Sequence, residues 1–330
     1  MTTTTTTTPG VEDIEWPYLS PSPGLSAKSS SSKSGGVGGS SGGGGSGGWV
    51  PVIGPGQVLV CPRFLTAKDS DALIEYIEAV MAEPTRIDPK PTRRPGYAYR
   101  DNDRFSFHSP TFADMVWHKV GLAKMWDSLW TAPGGGLETV HKLSITSPGK
   151  TKNSPPRTRR TVGLSPNIRF YRYRSGQSFG AHYDDSIEDE QQRTKSEYTV
   201  LIYLNGDQSS DLVGGETVFY PSGQKKKRVA AASAAGAGSK RKGGGGGSAT
   251  SKRAETHPAP APSPAFASSS SSSASESFWY TDEDTGGIAV KPQQGLLLVH
   301  KHGDECMLHE AFGVQRGNKY VLRTDVLYEL

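Results

Sequence analysis

Two strings far apart in the chain constrain the fold more than anything between them. Phe170-Tyr171-Arg172-Tyr173 runs on to His182-Tyr183-Asp184-Asp185, and His309-Glu310 runs on to Lys319-Tyr320-Val321-Leu322-Arg323. Side chains alternate faces along a strand, so a strand here points His182 and Asp184 the same way and Asp185 the other. A second imidazole from the distant string completes two histidines and one carboxylate on one face of a metal. Such a set leaves coordination positions open and suits non-haem Fe(II). His309 is the preferred third donor. His300 and His302 are rivals that share a strand face, but neither has a cation at the matching later position.

A core must therefore join residues near 180 to residues near 310, and composition shows what it leaves out. Only 34% of the 330 residues are hydrophobic, and the 40 glycines concentrate in two tracts unable to offset their ordering entropy by burial. Residues 1–48 read as a disordered tail: a threonine run, a mixed stretch, then Ser26 to Gly48 almost entirely Ser, Gly and Lys. A second such segment, 224–277, interrupts the strand-rich half and is longer than any ordinary loop. What remains, 49–330, is expected to be a single domain with helical support over 64–132 and a barrel over 165–330. No internal repeat is visible.

Net charge is +4, too mild to argue for a nucleic-acid partner. Two cysteines, Cys61 and Cys306, imply no disulfide framework and fit a reducing compartment. A bridge between them is the less favoured alternative. Met1 and its threonines lack the basic and apolar regions of a secretory signal, and no apolar run approaches the roughly 20 residues that span a bilayer. The expected setting is soluble and intracellular, without a membrane partner.

Within the domain, Gln57–Val60 reads as a first strand. Thr66 and Asp69 form a capping box before Leu73, Ile74, Ile77, Val80 and Met81, which recur at helical spacing up to Pro84. A second helix is predicted over Pro110–Trp130, its aromatics serving the core, and a loop over 133–165. Strands follow at 168–173, 179–184 and 198–204, then 214–220 reads as a turn into a further strand; structure resumes at 278–280 and continues through 288–290, 296–300 and 319–327. Helices followed by a run of strands predict an α+β, mostly β fold, with the helices packed on one sheet of a jelly roll.

With the motifs laid out in order, the chain resembles the prolyl 4-hydroxylase-like branch of the Fe(II)- and 2-oxoglutarate-dependent oxygenases. The resemblance rests on Tyr173, Gly176, Phe179, His182 and Asp184, then Tyr203, Gly214-Gly215, Thr217 and Phe219, then His309 and Lys319. It spans roughly 165–223 and 278–328, with a less specific likeness at 64–83. It implies a double-stranded β-helix that binds iron through His182, Asp184 and His309, which are then also the catalytic residues. It further implies oxidative decarboxylation of 2-oxoglutarate to succinate, coupled to O2-dependent hydroxylation of a C–H bond. The substrate it suggests is a prolyl or other side chain in a protein or peptide, with ascorbate as a possible reductant.

The co-substrate's far carboxylate needs a fixed cation in a dry barrel. Lys319 fits by spacing, with Tyr203 as a neutral donor. Arg323 shares Lys319's strand face and offers a bidentate fork, so it is the alternative, or else it pairs with Asp325 or another carboxylate. Tyr173 is placed near the co-substrate or in the core. Phe179 stands where relatives often carry Tyr, which removes a hydroxyl from that position.

Two basic clusters in the insertion, Lys225–Arg228 and Lys240–Lys242, read as a nuclear-import signal, as a non-specific nucleic-acid contact, or as a solvated loop. Location is therefore nuclear or cytoplasmic. Three functional alternatives stay open: a small-molecule hydroxylase of the same class, a non-catalytic scaffold binding through its tail and insertion, and a hydrolase holding Zn(II) on the same ligands. The zinc alternative leaves Tyr203 and Lys319 without a role.

Overall fold

The structure, a computed structural model, describes residues 19–22, 48–54, 56–131, 159–206, 210–223 and 277–330. The first half supplies β1 (Val50–Ile53), β2 (Val58–Cys61), α1 (Ala67–Met81), β3 (Asp103–His108), α2 (Pro110–Asp114) and α3 (Leu122–Thr131). There follow β4 (Thr161–Leu164), β5 (Asn167–Tyr173), β6 (Phe179–His182), β7 (Glu188–Asp189), β8 (Thr194–Tyr203), β9 (Val213–Gly214) and β10 (Thr217–Tyr220). Beyond the insertion come β11 (Trp279–Thr281), β12 (Ile288–Val290), β13 (Leu297–Lys301), β14 (Leu308–Ala311), β15 (Val314–Arg316) and β16 (Lys319–Glu329).

The strands form two principal sheets. The larger runs β1-β2-β13-β8-β16-β5-β3, with β4 on β16 and β7 on β8; the smaller runs β11-β12-β10-β14-β6. This is the expected mostly-β jelly roll, a double-stranded β-helix with helices against one sheet. Period-two alternation divides its interior. On β16, Tyr320, Leu322 and Val326 join the helix-side core, whereas Lys319, Val321 and Arg323 face the space between the sheets. Tyr198, Val200 and Ile202 of β8 face the helices, with Thr199, Leu201 and Tyr203 facing inward.

Helix α1 forms as its cap predicts. Thr66 Oγ1 accepts from the Asp69 amide at 3.1 Å and donates to Asp69 Oδ2 at 2.6 Å. Its buried face carries Leu73, Ile77, Val80 and Met81, each side chain contributing roughly 1.5–3 kcal/mol of transfer free energy. Glu78 on α1 accepts from Arg172 and from the Tyr320 hydroxyl, which fixes the helix over β5 and β16.

Four expectations need correction. The single helix over Pro110–Trp130 is broken: α2 passes into a π-helical turn, Met115–Val120, and Gly121 at φ 102° ends it before α3. The loop expected over 133–165 includes β4, which pairs with β16. The strand expected to reach Asp184 stops at His182. Within the tail expected to be disordered, Leu19 and Ser22 are buried, with Ser20 donating to Asp69 and the Ser22 amide to Val120 O. One apolar side chain and the spare acceptors of Asp69 anchor that short segment. The rest of 1–48, apart from Gly48, and the insertion with both basic clusters, apart from Ser277, lie outside the described residues. Cys61 sits in the helix-side core and Cys306 beside the site, so no disulfide joins them. Among the described residues, no helix is long and apolar enough to cross a membrane.

Candidate metal centre

His182 ends β6, and β14 is the strand hydrogen-bonded to it, with His309 and His182 as cross-strand partners. Asp184 lies just past the end of β6, yet its carboxylate turns back to the same space. Its Oδ1 is 3.5 Å from His182 Nε2 and its Oδ2 3.7 Å from His309 Nε2. Donor atoms of the three residues all lie within 4.8 Å of one another.

Each imidazole is fixed by its other nitrogen. His182 Nδ1 is 2.9 Å from Gly180 O and His309 Nδ1 is 2.9 Å from Met307 O. A carbonyl can only accept, so both Nδ1 atoms carry protons and both Nε2 lone pairs face Asp184, the orientation that metal-binding histidines take. Phe179 stacks on the His182 ring at 3.8 Å between centroids. Burial, then the neighbouring His182, pushes His309 down to about 4, which keeps it neutral and able to bind metal.

Burial alone would raise the Asp184 carboxyl, but the Arg323 guanidinium and the surrounding histidines outweigh it and hold the group well below the usual carboxylate range. Arg323 Nη2 is 2.9 Å from Asp184 Oδ2, and Thr199 Oγ1 donates to the same oxygen at 2.9 Å. Two imidazoles, one ionised carboxylate and supporting hydrogen bonds around it fit Fe(II).

Lys319 occupies another part of the same pocket. It is 2% exposed; Nζ donates to Gly215 O at 2.5 Å and lies 5.1 and 5.2 Å from the ring centres of Tyr173 and Tyr203. Among the described residues no carboxylate forms an ion pair with it, and burial pushes its ammonium down to about 7. The Gly214-Gly215 turn makes this approach possible. Gly215 sits at φ +78°, and a Cβ there would lie 3.0 Å from Lys319 Cδ. Tyr203 OH donates to Thr217 Oγ1 at 2.6 Å beside the lysine.

All seven residues singled out in the sequence line this pocket: Tyr173, His182, Asp184, Tyr203, His309, Lys319 and Arg323. Their partners separate the two cations. Arg323 is engaged by Asp184 and approaches Asp325 at 3.9 Å, whereas Lys319 has no ion-pair partner among the described residues. Among the rivals, Asp185 is exposed, and His302 is turned toward Thr199 at 3.0 Å. His300 does line the pocket, its Nε2 3.7 Å from Asp184 Oδ2. Sequence reasoning did not identify Thr199, although stepping back by two from Tyr203 along β8 puts it on the inward face.

Residues 168–258 match the family model of the 2OG-Fe(II) oxygenase superfamily. The match stops short of His309 and Lys319, which the fold brings to the same pocket. A search of curated proteins found no match to the chain. Solved structures similar to this chain include a viral collagen prolyl hydroxylase from Paramecium Bursaria Chlorella virus-1 in its 2OG complex. It is 14% identical at a TM-score of 0.39, over 83% of this chain and 97% of that one. A Pseudomonas putida prolyl-4-hydroxylase is 15% identical at 0.40, over 85% and 92%. A Trichoplax adhaerens prolyl hydroxylase, in complex with a hypoxia inducible factor peptide fragment, is 12% identical at 0.41, over 82% and 83%.

Proposed function

We propose that this protein is a hydroxylase using Fe(II), 2-oxoglutarate and O2, and that its substrate is a prolyl or other side chain within a protein or peptide. The observation that carries the reading is Lys319, a buried ammonium with no ion-pair partner among the described residues, lining the same pocket as His182, Asp184 and His309. A dicarboxylate co-substrate supplies that anion, and in low dielectric the charge-assisted bond is strong.

His182, Asp184 and His309 would hold the ferrous ion, which supplies the redox chemistry that O2 requires. Lys319 and the Tyr203 hydroxyl bind the far carboxylate of the keto acid. Tyr173, Leu201 and Val321 line the pocket and exclude water from it. Arg323 and Thr199 orient Asp184. His182 is the more open side of the donor set, its side chain 15% exposed, with the exposed Tyr183 beside it. That opening supports entry of a substrate side chain from His182's side. The prolyl assignment is supported by the motif order from Tyr173 to Lys319, and ascorbate is proposed as the reductant that restores ferrous iron.

The test is anaerobic addition of Fe(II) and 2-oxoglutarate. A visible charge-transfer absorption is expected in the wild type and not in Lys319→Met at the same co-substrate concentration; its absence from the wild type sinks the reading. Succinate release stimulated by peptide fractions and not by metabolites separates a protein substrate from a small molecule. Nuclear location, proposed from Lys225–Arg228 and Lys240–Lys242, is tested by neutralising the first cluster in a fluorescent fusion. An unchanged distribution rejects it.

A further inference from the structure

His309 has chemistry on both edges of its ring. Nε2 faces Asp184, while Nδ1 faces Met307 O at 2.9 Å and Cys306 Sγ at 3.9 Å. His300, Cys306 and His309 offer ligand atoms that all lie within 4.8 Å of one another, and this second set shares only His309 with the first.

His300 points to the same place independently. It is 2% exposed; its Nδ1, 3.0 Å from Lys301 O, carries the proton, and its Nε2 makes no hydrogen bond among the described residues. A buried lone pair without a donor is costly, and a cation relieves it. Neither His300 nor Cys306 has a part in the proposed hydroxylation.

We propose that His300, Cys306 and His309 form a second, overlapping site for a thiophilic cation such as Zn(II), whose occupation excludes ferrous iron from the first. Two nitrogens and a thiolate satisfy three positions of tetrahedral zinc, and the soft sulfur favours zinc over ferrous iron. Burial pushes the Cys306 thiol up to about 11, so the group is protonated until metal arrives. On binding, the S–H bond breaks, the proton leaves to solvent and an S–metal bond forms, with no change of oxidation state. If His309 ligates through its thiol-facing Nδ1, it gives up its bond to Met307 and its ring proton moves to Nε2. The first set then loses its third donor. Cys306 Sγ also accepts from the Asp184 amide at 3.2 Å, so metal on the sulfur acts on a second residue of the first set. The existence of the second site is independent of the hydroxylase reading; the exclusion of iron rests on it.

The experiment adds Co(II) anaerobically to the metal-free full chain. One near-ultraviolet thiolate-to-Co(II) band per chain is expected in the wild type, absent in Cys306→Ser and needing at least about tenfold more Co(II) in His300→Ala. Zinc-edge X-ray absorption of the zinc-loaded wild type, which needs no variant, should show one sulfur at about 2.3 Å. Zn(II) should also suppress the iron–2-oxoglutarate absorption at least about tenfold more effectively in the wild type than in Cys306→Ser. A wild type without a thiolate band and without a sulfur neighbour overturns the site, as does a band that persists in Cys306→Ser. Equal zinc suppression in wild type and Cys306→Ser overturns the exclusion. If the iron–2-oxoglutarate absorption never forms, the hydroxylase reading fails while the cobalt and zinc-edge results still decide the site.

Discussion

His309 stands directly across from His182 in the antiparallel pairing of β14 with β6, so one rung of a sheet carries two of the three proposed iron donors. The ladder itself sets their separation, 4.3 Å between ring centres. Replacing either histidine by Ala, or Asp184 by Asn, should weaken Mn(II) binding by at least about 100-fold, beyond what loss of a supporting residue costs. Electron spin resonance of added Mn(II) measures this, and unchanged binding in any of the three would remove that residue from the set.

The two buried cations should separate by phenotype. Lys319→Met removes the charged partner proposed for the far carboxylate. KM for 2-oxoglutarate should rise by roughly 30- to 1,000-fold with metal affinity unchanged, the equivalent of about 2–4 kcal/mol. Arg323→Met removes the guanidinium 2.9 Å from Asp184 and should weaken metal about 10- to 100-fold, leaving KM little altered. Steady-state kinetics beside metal titration distinguishes them, and a reversed pattern would reassign the cations.

Lys319 also predicts a pH dependence. Its folded value of about 7 lies below the ordinary 10.5, so between those limits the unfolded chain binds more protons. Stability of the metal-free protein should therefore rise with pH through this group from about 7 toward 10, a rise absent in Lys319→Met. Co-substrate binding runs the opposite way, because the anion needs the ammonium. Its Kd should increase by up to about tenfold per pH unit above about 7. Urea unfolding at two pH values and calorimetric titration of the Mn(II) form check the two signs.

Gly295 holds a left-handed conformation at φ +75°, and a Cβ there would lie 2.2 Å from Leu65 O. Its amide donates to Tyr203 O, and its carbonyl accepts from Phe64 and Leu65. Gly295→Ala combines backbone strain with a clash that no side-chain rotation relieves, so a loss of at least about 2 kcal/mol is expected. Thermal unfolding should show Tm lower by roughly 4–8 °C.

The site was legible because period-two alternation carries register into space. His182, Tyr203, Lys319 and Arg323 all face inward as their strand positions require. Alternation could not say which cation is already neutralised, because that depends on Asp184 curling back beyond the end of β6. Nor could apolar spacing reveal the break at Gly121, since Phe112, Met115, Val116, Met125, Trp126 and Leu129 meet the same core on either side of it. Leu19 escaped notice because one buried leucine in a polar stretch leaves no periodic trace.

The insertion leaves β10 at one end of β12 and returns through β11 at the other, since both strands pair antiparallel to β12 from opposite sides. Its two ends are therefore not neighbours, and no tight hairpin can splice them. The gap spans two inter-strand spacings and a short strand's length, on the order of 12–14 Å. A replacement linker needs at least about four extended residues. Shorter joins should pull β10 out of register, and since Phe219 pairs with His309, the ruler that spaces the two histidines would be the first thing lost.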